Sequence, residues 1–565
     1  MLSVGECNLL WAQLLIEELS RLPIGLFAIA PGSRSSVLAV AAARQMRVKS
    51  VVHLDERGLG FFALGHAKAT RKPSVVITTS GSAVANLYPA VVEASQDHIP
   101  LILLTADRPL EHSDTSSNQT LDQVKIFGSF VRWFFDIPSP SGDILLPFLL
   151  TTVDQAYHQT IFSANQGPVH LNCRFQEPLL PDPSFLVTCQ ALPGSLREWF
   201  GQESVYTQTR KLQIQHSPEE YEVLPSLLSD VSAGAIFVGG LTDLQEIESI
   251  QALSKCLKWP VFADISSQLK YEGSTLGTIP HYDLLGDVVE NLKPQVILHL
   301  GGRILSKRLK DIIEQQSNTP YIHVQNTLER QDEFHRASNR FTGIVAFCEA
   351  AVKLLSSQET SPHLKRLRAE SRQMDAQLSD QFGEKDAPLT ELAIAYQLSQ
   401  LVPSDQTLFI GNSMSIRNMQ RVATFVKASP WIVVNRGVSG IDGLLATACG
   451  FARGSGRRIT VFLGDLSALY DLNSFLLMAR SSIPVILIIV NNDGGGIFTQ
   501  LPISKWVDIV EPYFVAPHGL TFRSFAEGFG LLYADPTNIA EFSEAYCQAQ
   551  VSTSSTVMEC RVDRI

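Results

Sequence analysis

GDLSALYDLNSFLLMARSSIPVILIIVNNDGGG, residues Gly464 to Gly496, is the stretch on which the reading of the chain turns. It opens on Gly-Asp at the end of one apolar run, Ile459 to Leu463. It closes on Asn-Asn-Asp-Gly at the end of another, Val485 to Val490. Short continuous apolar runs with helical sequence between them fit parallel strands buried on both faces. Adjacent strands lie about 5 Å apart, so if these two are neighbours, Asp465, Asn492 and a backbone carbonyl just beyond converge. A carboxylate, an amide oxygen and a carbonyl are hard oxygen ligands. Mg²⁺ is usually held by few such protein ligands plus the phosphates of a bound molecule. The same residues also read as an aspartate capping the following helix and a turn built from Asn, Asp and Gly.

The rhythm of apolar run, polar turn and helical pattern extends on both sides. Upstream, Thr407 to Ile410 leads into GNSMS and Trp431 to Val434 into NRGVSGIDG. The first part of the chain repeats it: Phe27 to Ala30 into PGSRSS, Val51 to Leu54 into DERG, Val75 to Thr79 into SGSAVAN, Leu101 to Thr105 into ADRP. In open parallel sheets function collects at the carboxyl ends of the strands, which is where each of these turns falls. Between the two similar blocks stand further strands, Ala235 to Val238, Val261 to Ala263, Val296 to Leu300 and Tyr321 to Val324. Gly239 and Gly301 follow two of them, but neither begins a GxGxxG fingerprint. That favours a structural α/β domain over a dinucleotide site. A Pro-rich stretch from Glu177 to about Ser217 reads as a linker. Three α/β domains with parallel sheets are expected, at 1–185, 186–370 and 371–565.

The size of the chain, 565 residues, fits that division, since one core does not grow so large. A net charge of -11, with no long basic stretch, argues against nucleic-acid binding. No apolar run is of bilayer length, so membrane insertion is not expected. MLSVGECNLLWAQLLIEELS lacks a basic leader region and carries Glu17 and Glu18, so it reads as an amphipathic helix. Cys7, Cys173, Cys189, Cys256, Cys348, Cys449, Cys547 and Cys560 form no CxxC pair. Neither a zinc site nor a disulfide framework is indicated, which fits a reducing cytoplasm.

Gly-Asp, about twenty-five residues, then Asn-Asn resembles the cofactor motif of thiamine-diphosphate-dependent enzymes. The resemblance implies three Rossmann-like domains, the first binding the cofactor's pyrimidine and the third its diphosphate. It implies Mg²⁺, or Mn²⁺, on Asp465, Asn492 and the carbonyl of Gly494. The common motif reads Gly-Asp-Gly, and Leu466 departs from it. In HLDERGLGFFALGHAKAT the matching position is Glu56, the carboxyl that activates the cofactor; its other reading is a surface acid in a helix's first turn. An apolar surround, which Phe61, Phe62 and Leu64 would provide, suits a carboxyl group that exchanges a proton near neutral pH. Ile441 matches the bulky residue that bends the cofactor, and also reads as a core isoleucine. Ser413, Asp442, Gly464 and Ser467 match further cofactor contacts.

Arg34, Arg108, Arg417 and Arg436 all stand in strand-end turns. Singly each reads as a surface or structural residue. As a set they suit substrates rich in carboxylates, which the planar guanidinium grips with two hydrogen bonds. Together with SNQTLDQ, GDLSALYDLNS and NNDGGGIF, their turns are similar to one branch of the family, that of menaquinone synthesis. The likeness implies decarboxylation of 2-oxoglutarate and 1,4-addition of the remaining four-carbon unit to isochorismate. It places Asn118 and Gln119 near the second substrate and Ile497, Phe498 and Leu501 in an apolar wall. It further implies a homodimer or homotetramer with sites at subunit interfaces. Another thiamine-diphosphate decarboxylase or carboligase, or a non-catalytic relative, is the competing reading.

Overall fold

The computed structural model describes residues 2–162, 165–185, 192, 194–209, 217–271, 273, 275, 277–425 and 429–564. Cys189 and parts of the Pro-rich stretch lie outside them. The chain divides into two compact units. One comprises Met1–Leu212, Asn435–Gly456 and Leu469–Ile483; the other comprises Gln213–Val434, Arg457–Ala468 and Pro484–Ile565.

The first unit is built on β1 (Leu26–Ile29), β2 (Ser50–Val52), β3 (Ser74–Thr78), β4 (Leu101–Asp107), β5 (Phe134–Ile137) and β6 (Val169–Arg174). They lie in the order β2-β1-β3-β4-β6-β5, every pairing parallel. β1, β3 and β4 are buried throughout, as continuous apolar strands must be. The helix Val4–Arg21 begins at a capping box, in which Ser3 and Glu6 satisfy each other's backbone N–H groups. Glu56–Thr70 packs on Leu444–Ser455 with backbones nearly touching. A Cβ on Gly65 would lie 1.9 Å from the Thr447 carbonyl oxygen, and one on Gly450 2.0 Å from that of Phe62. Asp471, fully buried, caps Leu444–Ser455 by accepting the Ala446 N–H at 2.9 Å.

The second unit holds two sheets. One contains β7 (Ala235–Val238), β8 (Val261–Ala263), β9 (Ile297–Leu300), β10 (Tyr321–Gln325) and β11 (Asn339–Thr342), ordered β11-β10-β9-β7-β8. The other contains β12 (Thr407–Ile410), β13 (Trp431–Val433), β14 (Ile459–Gly464), β15 (Val485–Asn491), β16 (Leu532–Ala534) and β17 (Thr556–Arg561), ordered β13-β12-β14-β15-β17-β16. All pairings in both are parallel. The chain is thus an α/β protein with three parallel sheets. In the five-stranded sheet the Gly239-Gly240 and Gly301-Gly302 turns close on each other: Gly302 N–H donates to Gly240 at 3.0 Å. A Cβ on Gly239 would lie 2.0 Å from the Gly302 carbonyl oxygen.

Among the described residues five strands, β5, β6, β11, β16 and β17, escape a reading based on apolar runs. β6 alternates His170, Asn172 and Arg174 with apolar residues, and Asn172 and Arg174 both bind Asp136 of β5. β11 is a polar edge, β16 is three residues long, and β17 carries Glu559 inside it.

Candidate active site

β14 and β15 are hydrogen-bonded neighbours, with Gly464 in register with Val490. Asp465 and the Asn491–Gly494 turn therefore leave the sheet side by side. Asp465 is buried, 2% exposed, and burial pushes its carboxyl group up from the ordinary range. Three donors pull the other way: Gly494 N–H at 2.8 Å, His518 Nε2 at 3.2 Å and Leu466 N–H at 2.6 Å. The last comes from the next residue in the chain; the first ties the two strand ends together. Asn492 donates its amide N–H to Glu391 at 2.8 Å, while its Oδ1 is buried with no hydrogen-bond partner. A buried polar atom left unpaired is costly. Beside a carboxylate, an unpaired amide oxygen is what a cation ligand looks like before the cation is added. The donor set, one carboxylate, one amide oxygen and a main-chain carbonyl, suits Mg²⁺. Gly494 has φ 127, and a Cβ there would lie 2.3 Å from the Val515 carbonyl oxygen, so only glycine serves.

Nearby, Ser467 is buried and a Cβ on Gly464 would meet no atom within 4 Å. Ser413 follows β12 with φ 66, a conformation costly for a non-glycine residue and typical of functional turns. Arg417, one turn on and exposed, donates to the Ser413 carbonyl at 2.7 Å. Ile497 and Phe498 are half-buried, Phe498 edge-on to Phe514, whereas Leu501 is 42% exposed.

In the first unit, Arg34 and Arg108 stand at the carboxyl ends of β1 and β4. Arg34 grips Glu177 at 2.6 Å and donates to the Phe175 carbonyl at 3.2 Å. Arg108 donates to Ser80 Oγ and to the Gln119 carbonyl, both at 2.7 Å. Partial burial and the neighbouring Arg34 charge lower the affinity of Arg108 for its proton. Gln119, at φ 56, donates to the Ser80 carbonyl at 3.1 Å; Asn118 is exposed on the same loop. These residues form one cluster above β1, β3 and β4. Glu56, half-buried at the start of its helix, accepts from Asn86 at 3.2 Å. Phe61, Phe62 and Leu64 are buried, and the Phe61 ring lies against Gly443. Ile441 and Asp442 are half-buried just before that glycine.

Arg436 is half-buried in a turn whose next two N–H groups, Gly437 and Val438, are accepted by Glu93 at 2.9 and 2.8 Å. Glu93 is absent from the sequence expectation, as are Glu391, Glu559 and His518. Glu559 accepts from Asn491 at 2.6 Å, Phe522 N–H at 2.7 Å and Tyr533 at 2.7 Å, bracing the turn before Asn492. The signal for the three acids is a lone carboxylate in an apolar stretch, in PAVVEAS, TELAIAY and TVMECR. His518, in APHGL, has no such signal.

Residues 11–126 match the N-terminal TPP binding domain of thiamine pyrophosphate enzymes, residues 191–410 their middle domain and residues 411–560 their C-terminal TPP binding domain. Fold and site thus define a thiamine-diphosphate-dependent enzyme. A benzoylformate decarboxylase from Polynucleobacter necessarius has the same fold, with a TM-score of 0.74 at 16% identity, covering 98% of this chain and 99% of its own. Nearer in sequence are 2-succinyl-5-enolpyruvyl-6-hydroxy-3-cyclohexene-1-carboxylate synthases. That of Rubrobacter xylanophilus is 40% identical over 99% of this chain and 96% of its own. That of Aeromonas salmonicida is 38% identical over 98% and 95%. The chain belongs to this synthase family. No helix among the described residues is long and apolar enough to cross a membrane.

Proposed function

We propose that the protein releases carbon dioxide from 2-oxoglutarate and adds the remaining four-carbon unit to isochorismate, in menaquinone synthesis. Family membership supports the reaction. The observation that carries the site is the unpartnered Asn492 Oδ1 beside the buried Asp465 at the ends of adjacent strands. Thiamine diphosphate, when bound, supplies a carbon nucleophile and a sink for the electrons released with carbon dioxide.

Asp465, Asn492 and the Gly494 carbonyl would hold Mg²⁺, or Mn²⁺, against the diphosphate, with Ser413, Gly464 and Ser467 alongside. Glu56 would exchange a proton with the pyrimidine ring, and Ile441 and Asp442 would support the cofactor's bend. Arg34 already grips a carboxylate, that of Glu177, and Arg108 stands beside it on Ser80 and the Gln119 carbonyl. With Gln119 and Asn118 they would take substrate carboxylates and hydroxyls, as would Arg417 and Arg436. Ile497, Phe498 and Leu501 would keep water from the reacting carbon. The protein would act in the cytoplasm as a homodimer or homotetramer, with residues 1–185 binding the pyrimidine and 371–565 the diphosphate.

The test is incubation with 2-oxoglutarate, Mg²⁺ and thiamine diphosphate, with and without isochorismate, products followed by mass. A product bearing both carbon skeletons, formed only when isochorismate is present, is expected. Succinic semialdehyde alone in both incubations would mark a simple decarboxylase and overturn the reading.

A further inference from the structure

Glu391 lies on none of the strand ends that carry the proposed ligands. It is the first residue of the helix Glu391–Leu401, which Thr390 caps by accepting the Ala393 N–H at 3.1 Å. Its side chain is buried, 5% exposed, and divides its two oxygens between two amides. Oε1 accepts from Asn492 Nδ2 at 2.8 Å, and Oε2 from Asn418 Nδ2 at 2.9 Å. The oxygens of both amides are buried without partners.

A carboxylate oxygen accepts hydrogen bonds and cannot donate them. The face of each amide that meets Glu391 must therefore be its NH₂. For Asn492 the opposite orientation would set amide oxygen against carboxylate oxygen and leave an NH₂ pointing where a cation is to bind. An amide is nearly symmetric in shape, so packing alone does not choose between the two; the hydrogen-bond network does. The second amide, Asn418, keeps the carboxylate from turning away.

We infer that Glu391 is a positioning residue for the metal: it fixes the flip of Asn492 so that Oδ1 faces the cation. The inference rests on the metal reading proposed above. Groups that orient metal ligands typically change metal affinity 10- to 100-fold when removed. A merely structural Glu391 would alter stability and leave metal affinity alone.

The test is Mn²⁺ binding, read from the free-ion signal in electron paramagnetic resonance, at saturating thiamine diphosphate. Glu391→Met keeps the length and removes both acceptors; its Mn²⁺ dissociation constant should rise about 10- to 100-fold. Glu391→Gln is nearly isosteric, keeps one acceptor and guards against a folding defect; it should fall between Glu391→Met and the parent. The double variant Glu391→Met/Asn492→Asp should recover binding lost in Glu391→Met. The two oxygens of Asp are equivalent, so no flip remains to be set. Parent-like affinity in both single variants, or no recovery in the double variant, would overturn the inference. If the parent itself binds no Mn²⁺, or Asp465→Ala binds it equally well, the metal reading fails instead.

Discussion

Gly65 faces the backbone of Thr447 so closely that a Cβ would sit 1.9 Å from the Thr447 carbonyl oxygen. The obstruction is main chain on both helices, so no side chain can turn aside. Gly65→Ala should force Glu56–Thr70 away from Leu444–Ser455 and destabilise the first unit. Overpacking typically costs about 1–3 kcal/mol, and a backbone contact belongs at the upper end. A lower urea midpoint for Gly65→Ala than for the exposed control Gly142→Ala, whose Cβ would meet nothing within 4 Å, is the expected result. Equal midpoints would show that the helices part without cost.

The sheets were largely legible because a buried parallel strand must be apolar on both faces. The runs at 235–238, 261–263 and 407–410 match the strands residue for residue. β6 and β17 were not, since His170, Asn172 and Glu559 are paired polar residues inside strands, and pairing is invisible in one dimension. The same holds at the site. The sequence points to Asp465 and Asn492 by spacing, but the acid that orients Asn492 sits 101 residues upstream. Arg34, Arg108 and Gln119 meet because β1, β3 and β4 are adjacent, which the order of the turns alone does not say.

Glu18 and Asp154 give the first unit a pH dependence. Both carboxyl groups are buried, and each accepts a backbone N–H from the segment beyond the first sheet, Tyr206 for Glu18 and Thr207 for Asp154. Burial raises Glu18 from 4.5 to about 7, with Asp154 adding to the rise; burial raises Asp154 too. An acid whose folded value lies above its unfolded one stabilises fully below the unfolded value, and that stability is lost as pH climbs through the folded one. The window for Glu18 is therefore from about pH 4.5 to about pH 7. His66, lowered to about 4 by burial, acts in the opposite sense across part of that range. The comparison with Glu18→Gln isolates the acid. Glu18→Gln should gain thermal stability relative to the parent as pH rises through the window. A gap that stays constant with pH would show that Glu18 does not titrate there.

Glu56→Gln should leave thiamine diphosphate binding largely intact while slowing proton exchange at the cofactor's C2 atom. Removing a positioned acid–base group typically lowers a rate by about 10²–10⁴. Asn86 donates to Glu56, and an amide in its place can still accept that bond, so the change tests proton transfer more than packing. The measurement is exchange of the C2 proton for deuterium in the bound cofactor, quenched in acid. An unchanged exchange rate would remove Glu56 from the activating role.

The four strand-end arginines should divide the two substrates between them. We expect at least one of Arg417 and Arg436 to serve isochorismate chiefly. Arg436 has the better-defined backbone: Glu93, buried, accepts the N–H groups of both following residues, and a Cβ on Gly437 would lie 2.7 Å from the Glu93 carbonyl oxygen. Arg417 is exposed and donates to the Ser413 carbonyl at 2.7 Å. Changing the responsible arginine to alanine should leave a substrate carboxylate without its charged partner. Hydrogen bonds to charged groups are worth roughly 1.5–3 kcal/mol, so kcat/KM for isochorismate should fall about 10- to 100-fold. Carbon dioxide release from 2-oxoglutarate alone should fall much less. Glu93→Gln, which keeps an acceptor for only one of the two N–H groups, should shift KM for isochorismate in the same direction and by less if Arg436 is the one. Rapid-quench measurement of carbon dioxide release, beside full turnover, separates the cases in each variant. Equal losses of carbon dioxide release and of turnover in both arginine variants would show that these side chains bind 2-oxoglutarate or hold the site together.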